Sequence, residues 1–91
     1  MDITQPETVS RFFNGAGRIA SFPRRPDRKL QLLEFLAGQF EAGRVYLEPE
    51  VNDILEKYYD DYPYLRRSLI EFGLLQRDAA IGSYWLAADR T

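Results

Sequence analysis

Residues Asp60–Ala87, DDYPYLRRSLIEFGLLQRDAAIGSYWLA, carry the reading that decides the fold. At about 100° per residue, Leu65, Leu69 and Phe72 share one side of a helix, with Tyr62 at its edge. Asp60 or Asp61 supplies the N-cap, Pro63 sits near the start, and Gly73 stops the helix after Phe72. Leu74–Arg77 and Ser83–Ala87 then read as two strands, joined by Asp78-Ala79-Ala80-Ile81-Gly82 with glycine at the turn. The stretch is therefore a helix running straight into a β-hairpin.

Upstream, the same rules give two more long helices. Asp27 is read as the N-cap of a helix from Arg28 to about Ala42, stopped by Gly43. Its buried face is Leu33, Leu36, Ala37 and Phe40, extended by Leu30. Arg44–Leu47 is short and β-prone. Glu48-Pro49 opens the next helix, with proline where its missing N–H does no harm, and Val51, Ile54, Leu55 and Tyr58 point inward. Thr8–Asn14 forms a short helix with Val9, Phe12 and Phe13 inward. Arg18–Phe22 is extended ahead of Pro23, and Phe22 tucks into the core.

The predicted architecture is α+β and mostly helical. It is a winged helix-turn-helix, a three-helix core with a C-terminal β-hairpin wing, plus a short N-terminal helical extension. Residues 1–26 form the extension and basic arm, 27–87 the winged-helix domain, and 88–91 a tail. Strand alternation leaves one hairpin aromatic in the core. The larger ring, Trp85, is expected to close it against the first long helix, with Tyr84 facing out.

Composition narrows the function. The 91 residues suit one domain with a real core. The chain has no cysteine and no histidine. That removes disulfides, zinc knuckles, thiol chemistry and the commonest general base and metal ligand. An enzyme, a cofactor and a bound metal are not expected. The apolar runs are too short to span a membrane, the start lacks a signal-peptide layout, and a cytoplasmic location is expected. Gly15-Ala16-Gly17 lacks the strand and helix a dinucleotide fingerprint needs. Glu48, Glu50 and Asp53 read as solvated charge at a helix start, not as a calcium loop.

The net charge is −2, but it is unevenly spread. Arg11, Arg18, Arg24, Arg25, Arg28 and Lys29 face one acid, Asp27, over residues 11–29, whereas the remainder is acidic. Such an arm either folds back on the acidic body or meets phosphate. On the helix of residues 62–72, Arg67 points away from Leu65 and Leu69, flanked by Pro63, Ile70 and Glu71, with Tyr64 beside it. Arg66 lies on the flank and reads as a packing and salt-bridge residue. Arg67 and Glu71, four apart, are positioned to pair.

The motifs GRIASFP, the broken basic run Arg24-Arg25-Pro26-Asp27-Arg28-Lys29, GRVYLEPEVN, LRR, GLLQR and YWL occur in order over Arg11–Leu86. Together they resemble a prokaryotic domain-of-unknown-function family of winged-helix type, found alone or fused to ArsR-type helix-turn-helix regulators. The resemblance implies a winged-helix-like fold and a role in transcription regulation. A histidine that often precedes the last helix in the family is replaced here by Tyr58-Tyr59, so no metal or acid–base role passes through it.

The expected function is thus double-stranded DNA binding. Arg24, Arg25, Arg28 and Lys29 would hold phosphates, Tyr64 and Arg67 would face the groove, and Arg77 would serve the wing. The alternative is a protein-interaction or homodimerisation module, or a companion to a larger regulator, using Pro63, Tyr64 and Ile70.

Overall fold

A computed structural model describes residues 7–87. It is a small α+β fold of helices against a three-stranded antiparallel sheet. The elements are α1 (Glu7–Ser10), α2 (Pro26–Ala37), β1 (Tyr46–Leu47), α3 (Glu48–Glu56), α4 (Tyr62–Glu71), β2 (Leu75–Asp78) and β3 (Ser83–Leu86). The strand order is β1-β3-β2, so the hairpin receives β1 as a third strand on its β3 side. No helix among the described residues is long and apolar enough to cross a membrane. The expected tail, 88–91, lies outside the described residues.

The core is one cluster. Leu32, Leu33, Leu36 and Ala37 of α2 meet Val51 and Leu55 of α3, Leu65 and Leu69 of α4, and Tyr46, Leu75 and Tyr84 of the sheet. Val9, Phe12 and Ile19 join the same cluster, so the N-terminal stretch is packed into the body. Phe22 is half-buried at its edge.

Several boundaries differ from the sequence reading. Helix α2 begins at Pro26 with Arg25, not Asp27, as its N-cap, and the Arg25 carbonyl accepts the first helical bond from the Lys29 N–H. Proline fixes a helical φ at the first position, which moves Asp27 into the first turn. The helix ends at Ala37 rather than near Ala42, because Gly38 follows and weakens helical propagation. Tighter turns, Gln39 N–H to Leu36 O and Phe40 N–H to Ala37 O, carry the chain on and still bury Phe40. β1 keeps only the last two of its four expected residues.

Helix α4 follows the sequence closely at both ends. Asp61 is the N-cap and its carboxylate accepts the Tyr64 N–H. Gly73, at φ +76°, ends the helix in a Schellman motif, with Leu74 N–H bonded to Leu69 O and Gly73 N–H to Ile70 O. Asp61→Ala is expected to cost about 1 kcal/mol, typical for a lost N-cap, read as a lower urea midpoint at constant slope.

The hairpin aromatics are the reverse of the expectation. Tyr84 is buried, 1% exposed, and Trp85 is only half-buried. Register explains the inversion. Leu75 pairs with Leu86 and Arg77 with Tyr84, so those four share a face, and the Schellman closure directs Leu75 inward. Trp85 pairs with Gln76 on the other face, where its Nε1–H donates to Gln76 Oε1 at 2.9 Å. Ring size did not decide burial.

Candidate functional site

A groove of about 310 Å³ runs between α4 and the hairpin, lined by Arg66, Arg67, Ile70, Glu71, Arg77 and Tyr84. Two fully buried anchors on α4, Leu65 and Leu69, force Arg67 to the opposite side of that helix. Arg77 reaches the groove from β2, opposite Tyr84.

The two adjacent arginines have different fates. Arg66 is 17% exposed in its side chain. It donates to Asn52 Oδ1 and lies 3.9 Å from Glu48 Oε2, tying α4 to α3 as the sequence reading held. Arg67 is exposed and enters none of the ion pairs among the described residues, and the same is true of Arg77. The intrahelical Arg67–Glu71 pair open to the sequence does not form.

Glu48 is more than solvated charge. It accepts the Tyr84 hydroxyl at 2.9 Å while facing Arg66, so one carboxylate joins α3, α4 and β3 behind the groove. Glu50 accepts the Leu47 N–H at 2.9 Å and lies 3.4 Å from Arg44, closing the start of α3. Sequence spacing gave no sign of the Glu48 junction, since it needs the Tyr46–Tyr84 register to bring the partners together.

One cation of the basic arm, Arg18, is fastened to the body. Arg18 donates to the carbonyls of Glu56 at 2.9 Å and Lys57 at 3.1 Å, and pairs with Asp60. It thereby neutralises the C-terminal end of α3. The Ile19 N–H bonds the Tyr58 carbonyl at 2.7 Å beside it. Arg18→Ala should cost about 1–2 kcal/mol for this multiple cap, measured by urea unfolding. Arg25 is engaged by Asp27 at 3.2 Å. Desolvation, the largest single influence on Asp27, raises its carboxyl pKa. Hydrogen bonds from Arg25 and the Arg28 N–H, with the Arg25 charge, outweigh it and hold the carboxyl below its usual value. A lowered folded pKa means this contribution is present above the unfolded value of about 3.9 and fades as pH falls through the folded value.

Arg24 and Lys29 line a second hollow, of about 590 Å³, with Phe22, Pro23, Tyr59, Asp61 and Tyr64. Tyr64 turns toward this side, its ring 5.2 Å from Phe22, and so does not line the Arg67 groove. Arg28 is exposed on the same end of α2 and lines neither cavity. Of the seven residues expected to meet DNA, the groove thus unites Arg67 with Arg77, and the second hollow unites Arg24, Lys29 and Tyr64.

The expected partner patch is differently placed too. Ile70 is half-buried against the core, and Pro63 is half-buried. Among the described residues, the large apolar side chains most open to solvent are Val45, Leu47 and Ile81, at 59%, 55% and 68% exposure. Leu47 lies in the β1–β3 pairing, which Glu48 N–H bonded to Gly82 O carries on to the turn that holds Ile81.

Residues 18–86 match a family described as uncharacterized proteins conserved in bacteria. The chain belongs to the DUF2087 family. The matched span opens on Arg18, the cap of α3, and closes on Leu86 at the end of β3. It therefore takes in all of the groove and the second hollow of this DUF2087 chain. No curated protein and no solved structure is significantly similar to it. Among the described residues no group of histidine, cysteine, aspartate and glutamate side chains is placed to hold a metal ion.

Proposed function

We propose that this DUF2087 chain is a winged-helix DNA-binding domain acting in transcription regulation. The order of helix, strand, helix, helix and hairpin, with β1 added beside β3, supports the fold. In this reading α3 and α4 are the helix-turn-helix pair, α4 enters the major groove, and β2–β3 is the wing. The observation that carries the proposal is the pair of guanidinium groups lining one groove from two elements, Arg67 and Arg77, neither spent on an internal ion pair. Arg67 can present its planar fork to guanine O6 and N7, and Arg77 can hold a phosphate.

Of the two aspartates at the start of α4, the ion-paired Asp60 opposes phosphate less than Asp61, which keeps its charge. Asp60 is matched by Arg18 and Asp61 is turned onto the Tyr64 N–H. Arg24, Arg28 and Lys29 supply positive charge on the other flank, with Arg25 partly occupied by Asp27. Glu71 is the acid left in the groove. Glu71→Gln is therefore expected to tighten duplex binding about two- to threefold at low salt, since it removes one like charge facing phosphate.

Amide NMR shifts on titration with a mixed-sequence duplex test the placement. Perturbations centred on Arg67, Ile70 and Arg77 are expected, and perturbations confined to Val45, Leu47 and Ile81 would contradict it. A second reading, docking of a protein partner or another copy, is favoured by those three exposed apolar side chains. It predicts a sedimentation coefficient that rises with concentration and falls back in Leu47→Ser/Ile81→Ser.

A further inference from the structure

The hollow on the arm side of α4 has a different character from the groove. Its wall is aromatic: Phe22 lies 5.5 Å from Tyr59, their planes 34° apart, and 5.2 Å from Tyr64, nearly perpendicular. All three rings are half-buried, so each keeps part of its surface open to solvent. Pro23 stiffens the chain next to Phe22. The hollow is broad and shallow, about 590 Å³ lying open to solvent, so a ligand there would keep one side in water.

The rim is cationic. Lys29 Nζ sits 5.4 Å from the Tyr64 ring centre and 5.9 Å from that of Phe72, held over aromatic faces rather than by a carboxylate. Arg24 enters none of the ion pairs among the described residues. The single acid of the hollow, Asp61, is partly engaged, accepting the Tyr64 N–H at 3.3 Å. Two cations against one carboxylate leave a surplus of one positive charge, which suits a monoanion better than a dianion. Rings below and cations above call for a planar apolar body with one acidic group.

From this arrangement we infer that the Phe22–Tyr59–Tyr64 hollow is a binding site for a small aromatic carboxylate, its ring against Phe22 and Tyr59 and its carboxylate between Arg24 and Lys29. The site joins the arm and α2 to the N-terminus of α4, so a bound acid bridges the segments flanking the outer face of α4. Where the duplex reading holds, the acid also occupies two cations otherwise offered to phosphate, and it weakens duplex binding. The binding itself does not rest on that reading.

The test uses 2-naphthoate titrated into the full-length, isotope-labelled chain without DNA, with 2-naphthamide and acetate as matched controls. Saturable amide shifts at Phe22, Lys29, Tyr59 and Tyr64 are expected, with Kd on the order of 1 mM for a ligand of this size. The uncharged amide and the ringless acetate should each bind at least about fivefold more weakly, and Arg24→Gln/Lys29→Met should weaken naphthoate by at least as much. Both substituted side chains lie outside the core, so the variant keeps the fold, checked by its unperturbed core amides. Absence of saturable shifts, shifts centred on the Arg67–Arg77 groove instead, equal binding of acid and amide, or an unchanged Kd in the double variant would each overturn the assignment. If naphthoate binds while duplex does not, the site stands and its regulatory consequence falls.

Discussion

Arg67→Ala is expected to weaken duplex binding by about 5- to 150-fold, the equivalent of the roughly 1–3 kcal/mol carried by a bidentate arginine–base contact. The size follows from position. Arg67 stands on the outer face of α4, has no internal ion pair among the described residues, and shares a groove with Arg77 of the hairpin. Because nothing in the fold leans on it, the unfolding free energy of the variant should stay within about 0.5 kcal/mol of the native chain, as for other surface substitutions. Arg66→Ala should do the opposite. It strips Asn52 and Glu48 of their partner and lowers stability, with a smaller effect on sequence preference. Anisotropy and urea unfolding on both variants separate the two roles, and a reversed pattern would exchange them.

Tyr84→Ala is expected to cost about 3–5 kcal/mol, the range for deleting a buried aromatic side chain. That is a large share of the roughly 5–15 kcal/mol that holds a small domain together. The ring is fully buried where β1, β3 and α3 meet, and its hydroxyl donates to Glu48, which also faces Arg66. Tyr84→Phe keeps the ring and loses the hydroxyl, so about 1–2 kcal/mol is expected. Trp85→Ala should cost less than Tyr84→Ala, since Trp85 is half-buried and makes its bond to Gln76 on the outer face. Thermal or urea unfolding orders the three. A Trp85 effect larger than that of Tyr84 would reverse the assigned register.

Local rules read from the sequence went far where they act alone. Leu33, Leu36, Ala37 and Phe40 are all buried, as their spacing demands, and so are Leu65 and Leu69. The cap at Asp61 and the stop at Gly73 are short-range chemistry and follow the residues directly. The separate fates of Arg66 and Arg67 also follow from helical angle. Pairing between distant segments was not legible. Which of Tyr84 and Trp85 turns inward depends on hairpin register, fixed by how Leu74 and Leu75 leave the Schellman turn. Arg18 finds the end of α3 38 residues away, and Glu48 becomes a junction through the pairing of β1 with β3. Tyr64 lies on the outer side of α4 by angle, yet it is drawn to Phe22 and Lys29, contacts that angle alone cannot supply.

The most direct measurement is the fluorescence anisotropy of a labelled mixed-sequence duplex with the native chain across a series of salt concentrations. Saturable binding at low salt is expected, with the logarithm of the affinity falling linearly as the logarithm of salt rises, at a slope of about −0.9 for each phosphate neutralised. Arg77→Ala should make that slope shallower by about one phosphate. An anisotropy that does not change at low salt, or binding indifferent to salt, would contradict duplex binding. The open Arg67–Arg77 groove would then be plain solvated surface.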